Sequence, residues 1–583
     1  MAKDQIKEEF TTPKWRRKLP LLLVAPYLIG ILWHALHPVA SVLTGRMQPR
    51  RWYIDENSLD PSYFNRNGQF EALTVQTGWK RRSPCAAVSR NARISCTQHP
   101  DGIEILKITP TQVAVRPVSE AIVLVIPWTA SSVSNVFQVS VLNLIQQLQQ
   151  AKWIAKTLFI VTSTVESKMD LTSTVNRFLD VYLGPVDHET PFRPPLPPDM
   201  NGFLLRNLLV VDVQPQAPKG IVSSIALVQS EIRILPQGRR GVLPNMDLVF
   251  LAMYVYSRSL LIQTNKAVMT MHPYREEAKQ IQKYVQSKII PLQVEQVNEW
   301  LPKMLELLAF EYSLLLGPYP PHATALDRGI DALTIQALFA PGVDSNRFTS
   351  NFIQRMEYVL RALSNLHERL HHSTSLYLLA SPERFVKHEE YLIPNLLLLI
   401  PLVVRAVTLV LVDIPAFHWP TVQPTIFLTL FCVATFHAVV SKMDKEMIVV
   451  AFLLIYVTMT LFLRLKLRRL SKQTVQFVAC FAALLVHIPI AFGHVSLAFP
   501  SAIFWAPLIA FPSFDDSNNC DGEDTKRAIL RARSVILYAL SIGLIGITMP
   551  CILLVPRVFP DYTIYVRYAY MPLHALLTIL YLS

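Results

Sequence analysis

The sequence predicts a polytopic membrane protein, with about eight transmembrane helices and one large α/β domain outside the bilayer. Three observations predict it. Hydrophobic residues make up 51% of the 583, with a mean hydropathy of +0.31, too apolar for an ordinary soluble chain. The apolar residues gather in long runs, one near the start and the rest beyond Leu392. Between these regions, short β-rich runs alternate with amphipathic segments, the pattern of an α/β domain.

Residues 1–18 form a basic N-terminal segment, and 19–43 the first span, LPLLLVAPYLIGILWHALHPVASVL, preceded by Lys14, Arg16, Arg17 and Lys18. Its length suits the roughly 20 apolar residues that cross a bilayer. A cleaved signal peptide is the alternative, but Arg46, Arg50 and Arg51 follow the run without a small-x-small cleavage site. Residues 391–583 hold a bundle of about seven spans: 392–412, 424–440, 447–463, 474–492, 495–513, 533–555 and 562–582. The break around Gly493 and His494 leaves a re-entrant pair open as an alternative.

Charge placement sets the topology, because cytosolic loops retain Lys and Arg. With Lys14 to Lys18 cytosolic, the clusters Arg464 to Lys472 and Lys526 to Arg533 fall on the same side, both termini are cytosolic, and residues 44–390 lie across the membrane. The net charge of +13 is therefore juxtamembrane charge, and nucleic acid is not an expected partner. Cys432, Cys480 and Cys551 lie in apolar spans and Cys520 in a cytosolic loop. Only Cys85 and Cys96 share the large domain, where an oxidising lumen leaves a disulfide and two free thiols as the alternatives. No Asn-x-Ser/Thr acceptor occurs between 45 and 390.

Within that domain the patterns predict a strand over 111–126, a helix over 134–151, a strand over 156–162 and a helix over 168–183. A proline-rich loop spans 185–202, and strands follow at 207–213 and 223–229, in a mostly parallel sheet. Helices are expected at 244–262, 275–314 and 346–379, the last leading almost directly into the membrane. No internal repeat is evident.

The stretch AIVLVIPWTASSVSNVFQV, from Ala121, runs a strand into a turn and a helix, where α/β active sites sit. A zinc exopeptidase would place His, Asp and Glu ligands in such turns. Here the turn offers Trp128, Thr129 and Ala130, and the next strand ends in Thr162, Ser163 and Thr164, with Glu166 farther on and Asp212 as one carboxylate at a strand end. Neutral hydroxyls and one Asp cannot hold a dinuclear centre, so neither a metal nor another cofactor is expected. No Gly-x-Ser-x-Gly elbow or phosphate loop is present, and Ser132 or Ser134 reads as a helix cap. In QGRRGVLPNMDLVF, Pro244 suits a first helical turn, Asn245 follows it, and Asp247 favours the positive end of the helix, a structural reading for all three. His367 and His371 are spaced i, i+4, but without a second ligand group they read, with Glu368, Arg369 and His372, as polar residues near the membrane able to meet a headgroup or partner.

The basic N-terminal span, RWYIDENSLD at 51–60, LPNMDL at 243–248, ALDRGIDALTI at 325–335 and SNLHERLHHSTSLYLLASPERFVKHEEYLIP at 364–394 together resemble the GPI-anchor-attachment subunit of GPI transamidase. The resemblance implies a multi-pass protein of the endoplasmic reticulum membrane whose lumenal domain has a degenerate M28 zinc-exopeptidase fold. It implies partners as well: other transamidase subunits, among them a caspase-like cysteine peptidase carrying the catalytic thiol, the GPI lipid and the proprotein substrate. The expected role is non-catalytic. Tyr53, Asp55, Glu56 and Asn57 after the first span, with Glu368, Arg369, His371 and His372 before the second, are candidates to bind the GPI or a partner. A metal-dependent peptidase or amide-forming enzyme, and a transporter built on the Pro-broken spans, are the alternatives.

Overall fold

In a computed structural model of the chain, the described residues are 13–44, 84–87, 93–110, 120–128, 135–163, 170–184, 196–198, 200–215, 231–257, 269–270, 280–284, 295–339, 345–366, 377–381, 384–413 and 472–510. They divide into two units, Pro38–Lys387 and a second made of Met1–His37 with His388–Ser583.

The first unit is built on an eight-stranded sheet: β1 Ile94–His99, β2 Ile103–Ile108, β3 Glu120–Ile126, β4 Thr157–Ser163, β5 Leu204–Pro215, β6 Glu231–Leu235, β7 Met269–Thr270 and β8 Asp331–Phe339, in the order β1-β2-β4-β3-β5-β8-β6-β7. Strands β4, β3, β5 and β8 run parallel at its centre. They are covered on both faces, so they read as continuous apolar runs, and all of β4 and β3 from Ala121 onward is buried. The expected mostly parallel sheet is instead mixed, because β1 and β2 form a hairpin, β2 pairs antiparallel with β4, and β6 pairs antiparallel with β8. The hairpin follows from chain geometry. Gly102, at φ +80°, closes a turn between adjacent strands too short for a crossover, so the pair must be antiparallel. A four-residue helix, α1, Pro84–Ala87, carries Cys85, which is bonded to Cys96 of β1.

Helix α2, Asn135–Gln150, buries Phe137, Val141, Leu144, Ile145 and Leu148 at helical spacing. Helix α3, Leu171–Leu183, starts three residues after the predicted 168 because Asp170 caps it, accepting from Ser173 N–H at 3.1 Å. Val175, Phe178 and Leu179 of α3 pack on Val123, Val125, Phe159, Val161, Leu208 and Val210, one face of the sheet. Alternation puts Ile122, Leu124 and Ile126 on the other face.

Helix α4, Met246–Ser257, begins after Asn245, whose Oδ1 accepts from Asp247 N–H at 3.0 Å. Asn245 is thus the cap, and Pro244 stands before it rather than in the first turn. The expected helix 275–314 resolves into a helical piece at 280–284 and α5, Glu295–Leu316. After the short α6, Ala323–Asp327, and β8 comes α7, Ser345–Asn365. The predicted helix 346–379 does not continue through its end, because Tyr377–Ser381 is strand β9, paired antiparallel with β10, Arg384–Lys387. Tyr377, Leu378 and Leu379 are buried in succession, which a helix face does not do. The hairpin therefore stands between α7 and the apolar helix that follows. The predicted strand 223–229 lies outside the described residues.

At the amino ends of the central strands, Glu120 accepts from Arg206 Nε at 2.9 Å and meets Lys156 Nζ at 3.3 Å. Burial alone would raise the Glu120 carboxyl, but the Arg206 hydrogen bond and the two cations hold it below its usual range, while burial pulls Lys156 down.

The second unit packs α8, Pro13–Thr44, through its part up to His37, with α9, His388–Thr408, α10, Lys472–Gly493, and α11, Val495–Ala510. A short π-helical turn, Leu409–Asp413, follows α9. Leu398, Leu402, Ala479, Ala483, Ala502, Trp505 and Ala506 form its core. Pro394 lies inside α9, and Asn395 Nδ2 donates to Tyr391 O at 3.0 Å. The buried Arg405 donates from Nε and Nη2 to Gln476 Oε1, whose Nε2 donates to Ile509 O. Among the described residues, His388–Leu411 and Gln476–Gly493 are long and apolar enough to cross a membrane, while Leu22–His37 and Val495–Ala510 are shorter apolar stretches. The expected spans 424–440, 447–463, 533–555 and 562–582 lie outside the described residues.

Candidate functional site

Strand order locates a site in the first unit. From β3 the chain crosses to β4 on one side, and β5 then returns to the other side of β3. Loops leaving the carboxyl ends at such a switch diverge and open a crevice. A cleft of about 570 Å³ lies there, lined by Pro127 and Trp128 after β3, Ser163 of β4, Asp212 to Gln214 of β5 and Gln336 of β8. The start of α3 and the segment Pro318 to Pro321 complete the wall. Pro127, which has no N–H to give to a sheet neighbour, ends β3 at the rim.

Asp212 is the centre of its polar chemistry. Gln336 Nε2 donates to Asp212 Oδ2 at 2.7 Å and Gln214 Nε2 to the same oxygen at 2.9 Å. Burial raises the carboxyl above its usual range, and the two amides with a backbone N–H at Val213 only partly offset this. Trp128 is buried and its carbonyl accepts from Gln138 Nε2 at 2.7 Å. Arg233 also lines the cleft and is held through Nε and Nη2 by Glu231 at 3.3 Å.

This donor set does not fit a zinc ion. Asp170 is occupied in capping α3, Ser163 is a neutral hydroxyl, and Asp212 is bound by amides. Zinc takes its affinity from imidazole, thiolate and several carboxylates. Among the described residues, no three His, Cys, Asp or Glu side chains gather closely enough to hold a metal.

Below the cleft, on the face of β8 shared by Gln336, Thr334 Oγ1 and His322 Nδ1 share a hydrogen bond at 2.8 Å. His322 is fully buried, and burial lowers its pKa to about 3. On the opposite side, Asp331 Oδ1 accepts from Asn245 N–H at 3.3 Å and Tyr377 OH donates to Pro244 O at 3.1 Å. Burial, with Asp331 and Asp247 nearby, pushes the Tyr377 phenol well up. These contacts fasten the start of α4 and do not open onto the cleft.

The candidates Tyr53, Asp55, Glu56, Asn57, Glu368, Arg369, His371 and His372 lie outside the described residues, as do Thr129, Thr164 and Glu166. Asp212 is the one carboxylate singled out at a strand end that the structure brings to the cleft. Gln336, Arg233 and Tyr319 were missed, since each reaches Asp212 or its cleft from a distant segment and none carries a local motif.

A mixed sheet with a parallel centre and a cleft at its switch point, in a chain that also carries, among the described residues, two apolar helices long enough to cross a membrane, fits a membrane-associated α/β protein with a crevice. The chain belongs to the Gaa1-like family, GPI transamidase component, whose family model matches residues 115–579. It is therefore a subunit of the GPI transamidase complex, at the endoplasmic reticulum membrane. No curated protein matches the chain.

Proposed function

We propose that this subunit is non-catalytic and presents the GPI lipid, with the thiol nucleophile carried by a separate caspase-like subunit. The observation that carries this reading is the chemistry of the cleft, where Asp212 is bound only by neutral donors among the described residues and the wall supplies amides, hydroxyls and aromatic rings. Such a crevice can bind and orient, and among the described residues its lining holds no base and nucleophile pair. The large domain is lumenal, an M28-like frame without its ligand set, and both termini are cytosolic. Membership in the family and the exposed apolar side chains of α8, α9 and α10, among them Leu28, Leu32, Leu396, Val403, Phe481 and Leu485, support the membrane part of this reading.

In this arrangement Tyr53 to Asn57 and Glu368 to His372 frame the GPI headgroup or the peptidase partner at the lumenal surface. Holding the headgroup amine beside a thioester formed on another subunit is catalysis by proximity, worth about 7 to 11 kcal/mol at best. Purification of the complex in mild detergent should recover a caspase-like cysteine peptidase with this chain, and its consistent absence would overturn the reading. In cells lacking the native subunit, the double substitution Glu368→Ala and His371→Ala should lower cell-surface GPI-anchored protein while the subunit remains folded and inserted. Undiminished anchoring would remove these residues from the site.

A further inference from the structure

The cleft's charge pattern identifies a class of ligand. Several partly buried carboxylates of this unit meet a cation: Glu120 has Lys156 and Arg206, Asp180 has Arg328, and Glu231 has Arg233. Asp212 meets none among the described residues. Its two glutamine partners fix the plane of the carboxylate without neutralising it, and both bonds fall on Oδ2. The buried Trp128 and the half-buried Tyr319 line the same cavity, adding ring faces that attract cations. A desolvated carboxylate without a counter-ion is costly, and a cationic ligand relieves that cost.

We propose that this cleft binds a primary ammonium group carried by a small phosphate ester, with Asp212 as its counter-ion and Trp128 and Tyr319 as its walls. The ammonium donates to the carboxylate oxygens, and no covalent step is involved. Arg233 favours the phosphate-bearing source over a lysine side chain. It lines the same cavity, and Glu231 engages two of the five N–H donors of its guanidinium, so one cavity presents both an anion and a cation. A cavity of about 570 Å³ suits a headgroup-sized zwitterion. Naming an ethanolamine phosphate as the source rests on the lipid-presenting role proposed above, whereas recognition of the ammonium rests on the cleft alone.

Saturation-transfer NMR on the full chain, purified in detergent with its transamidase partners, tests this with O-phosphoethanolamine as the probe. It should bind, ethyl phosphate should bind roughly tenfold more weakly, and Asp212→Asn should weaken the amine probe by roughly tenfold, as expected for loss of one charge-assisted hydrogen bond. The comparison of the two probes on the unaltered chain needs no variant, and co-purification of the partners reports that Asp212→Asn is folded. Equal binding of the two probes, or an unaffected Asp212→Asn, overturns the proposal. Tighter binding of N-acetyl-lysinamide than of phosphoethanolamine overturns it in favour of a peptide ligand. If the amine binds but no transamidase subunit accompanies the chain, the functional reading fails and the cleft assignment stands. If the partners are recovered and no amine binds, the reverse holds.

Discussion

Asp212 and His322 answer burial in opposite ways. The carboxylate sits at the cleft held by amides, whereas His322 is sealed against the neighbouring strand β8, neutral, with Thr334 as its hydrogen-bond partner. A histidine whose folded pKa is about 3 binds its proton in the unfolded chain first, near pH 6.5. Stability is then fully present above about pH 6.5 and falls as pH drops toward 3. Between pH 7 and pH 5 the loss from this one group is roughly 2 kcal/mol. His322→Gln removes the titrating group, so its melting temperature should fall less over that interval than that of the unaltered chain, and parallel losses would exclude His322 as the cause. Neither role is visible locally. Asp212 stands out as a carboxylate at a strand end, but its amide partner Gln336 comes from 124 positions away. Nothing around His322 distinguishes it from an exposed loop histidine.

At the scale of elements, the apolar runs of β3, β4 and β5 and the periodicity of α2 and α3 were legible because each is buried by its own pattern. The hairpins β1–β2 and β9–β10 were not, because their stability comes from a partner strand rather than from their own residues. Close approach between helices is equally hidden. A Cβ added to Gly30 of α8 would stand 2.9 Å from Pro394 O and 3.2 Å from Leu397 Cβ of α9. Gly30→Val should therefore cost about 1 to 3 kcal/mol through overpacking, read as a lower melting temperature in detergent. An unchanged melting temperature would mean that α8 and α9 part without cost. In the turn before α4, Gly238 is required for a similar reason, since an added Cβ would lie 2.3 Å from Val242 O.

For the whole molecule, topology is the open quantity that biochemistry can read. The stretch 45–390 has no native N-glycosylation acceptor, so an engineered one reports without background. Leu183, at the end of α3, is 49% exposed. The pair Leu183→Asn and Pro185→Thr creates an acceptor there. A lumenal domain should gain one glycan, seen as a mobility shift reversed by glycosidase, and an unmodified but folded product would put the domain on the other side. The disulfide belongs to this scale too, because it ties α1 to the sheet edge across an 11-residue separation. Cys85→Ser should cost about 2 to 3 kcal/mol by releasing that loop in the unfolded chain. Equal stability of the variant and the unaltered chain would show that the bond does not form.

The sequence by itself determined where the chain is apolar, which segments are buried strands or amphipathic helices, and that Trp128 and the residues around it lack the acids, imidazoles and thiols of a working centre. Those are properties of neighbouring residues, and burial writes them into the chain locally. The tertiary structure alone decided that the sheet is mixed, that β3 and β5 flank a switch point, that Cys85 meets Cys96, and that Asp212 faces a cleft with two amides as its side-chain partners. Each of these is a pairing between distant segments. Pairing energies depend on which surfaces meet, and no local pattern of residue types encodes that.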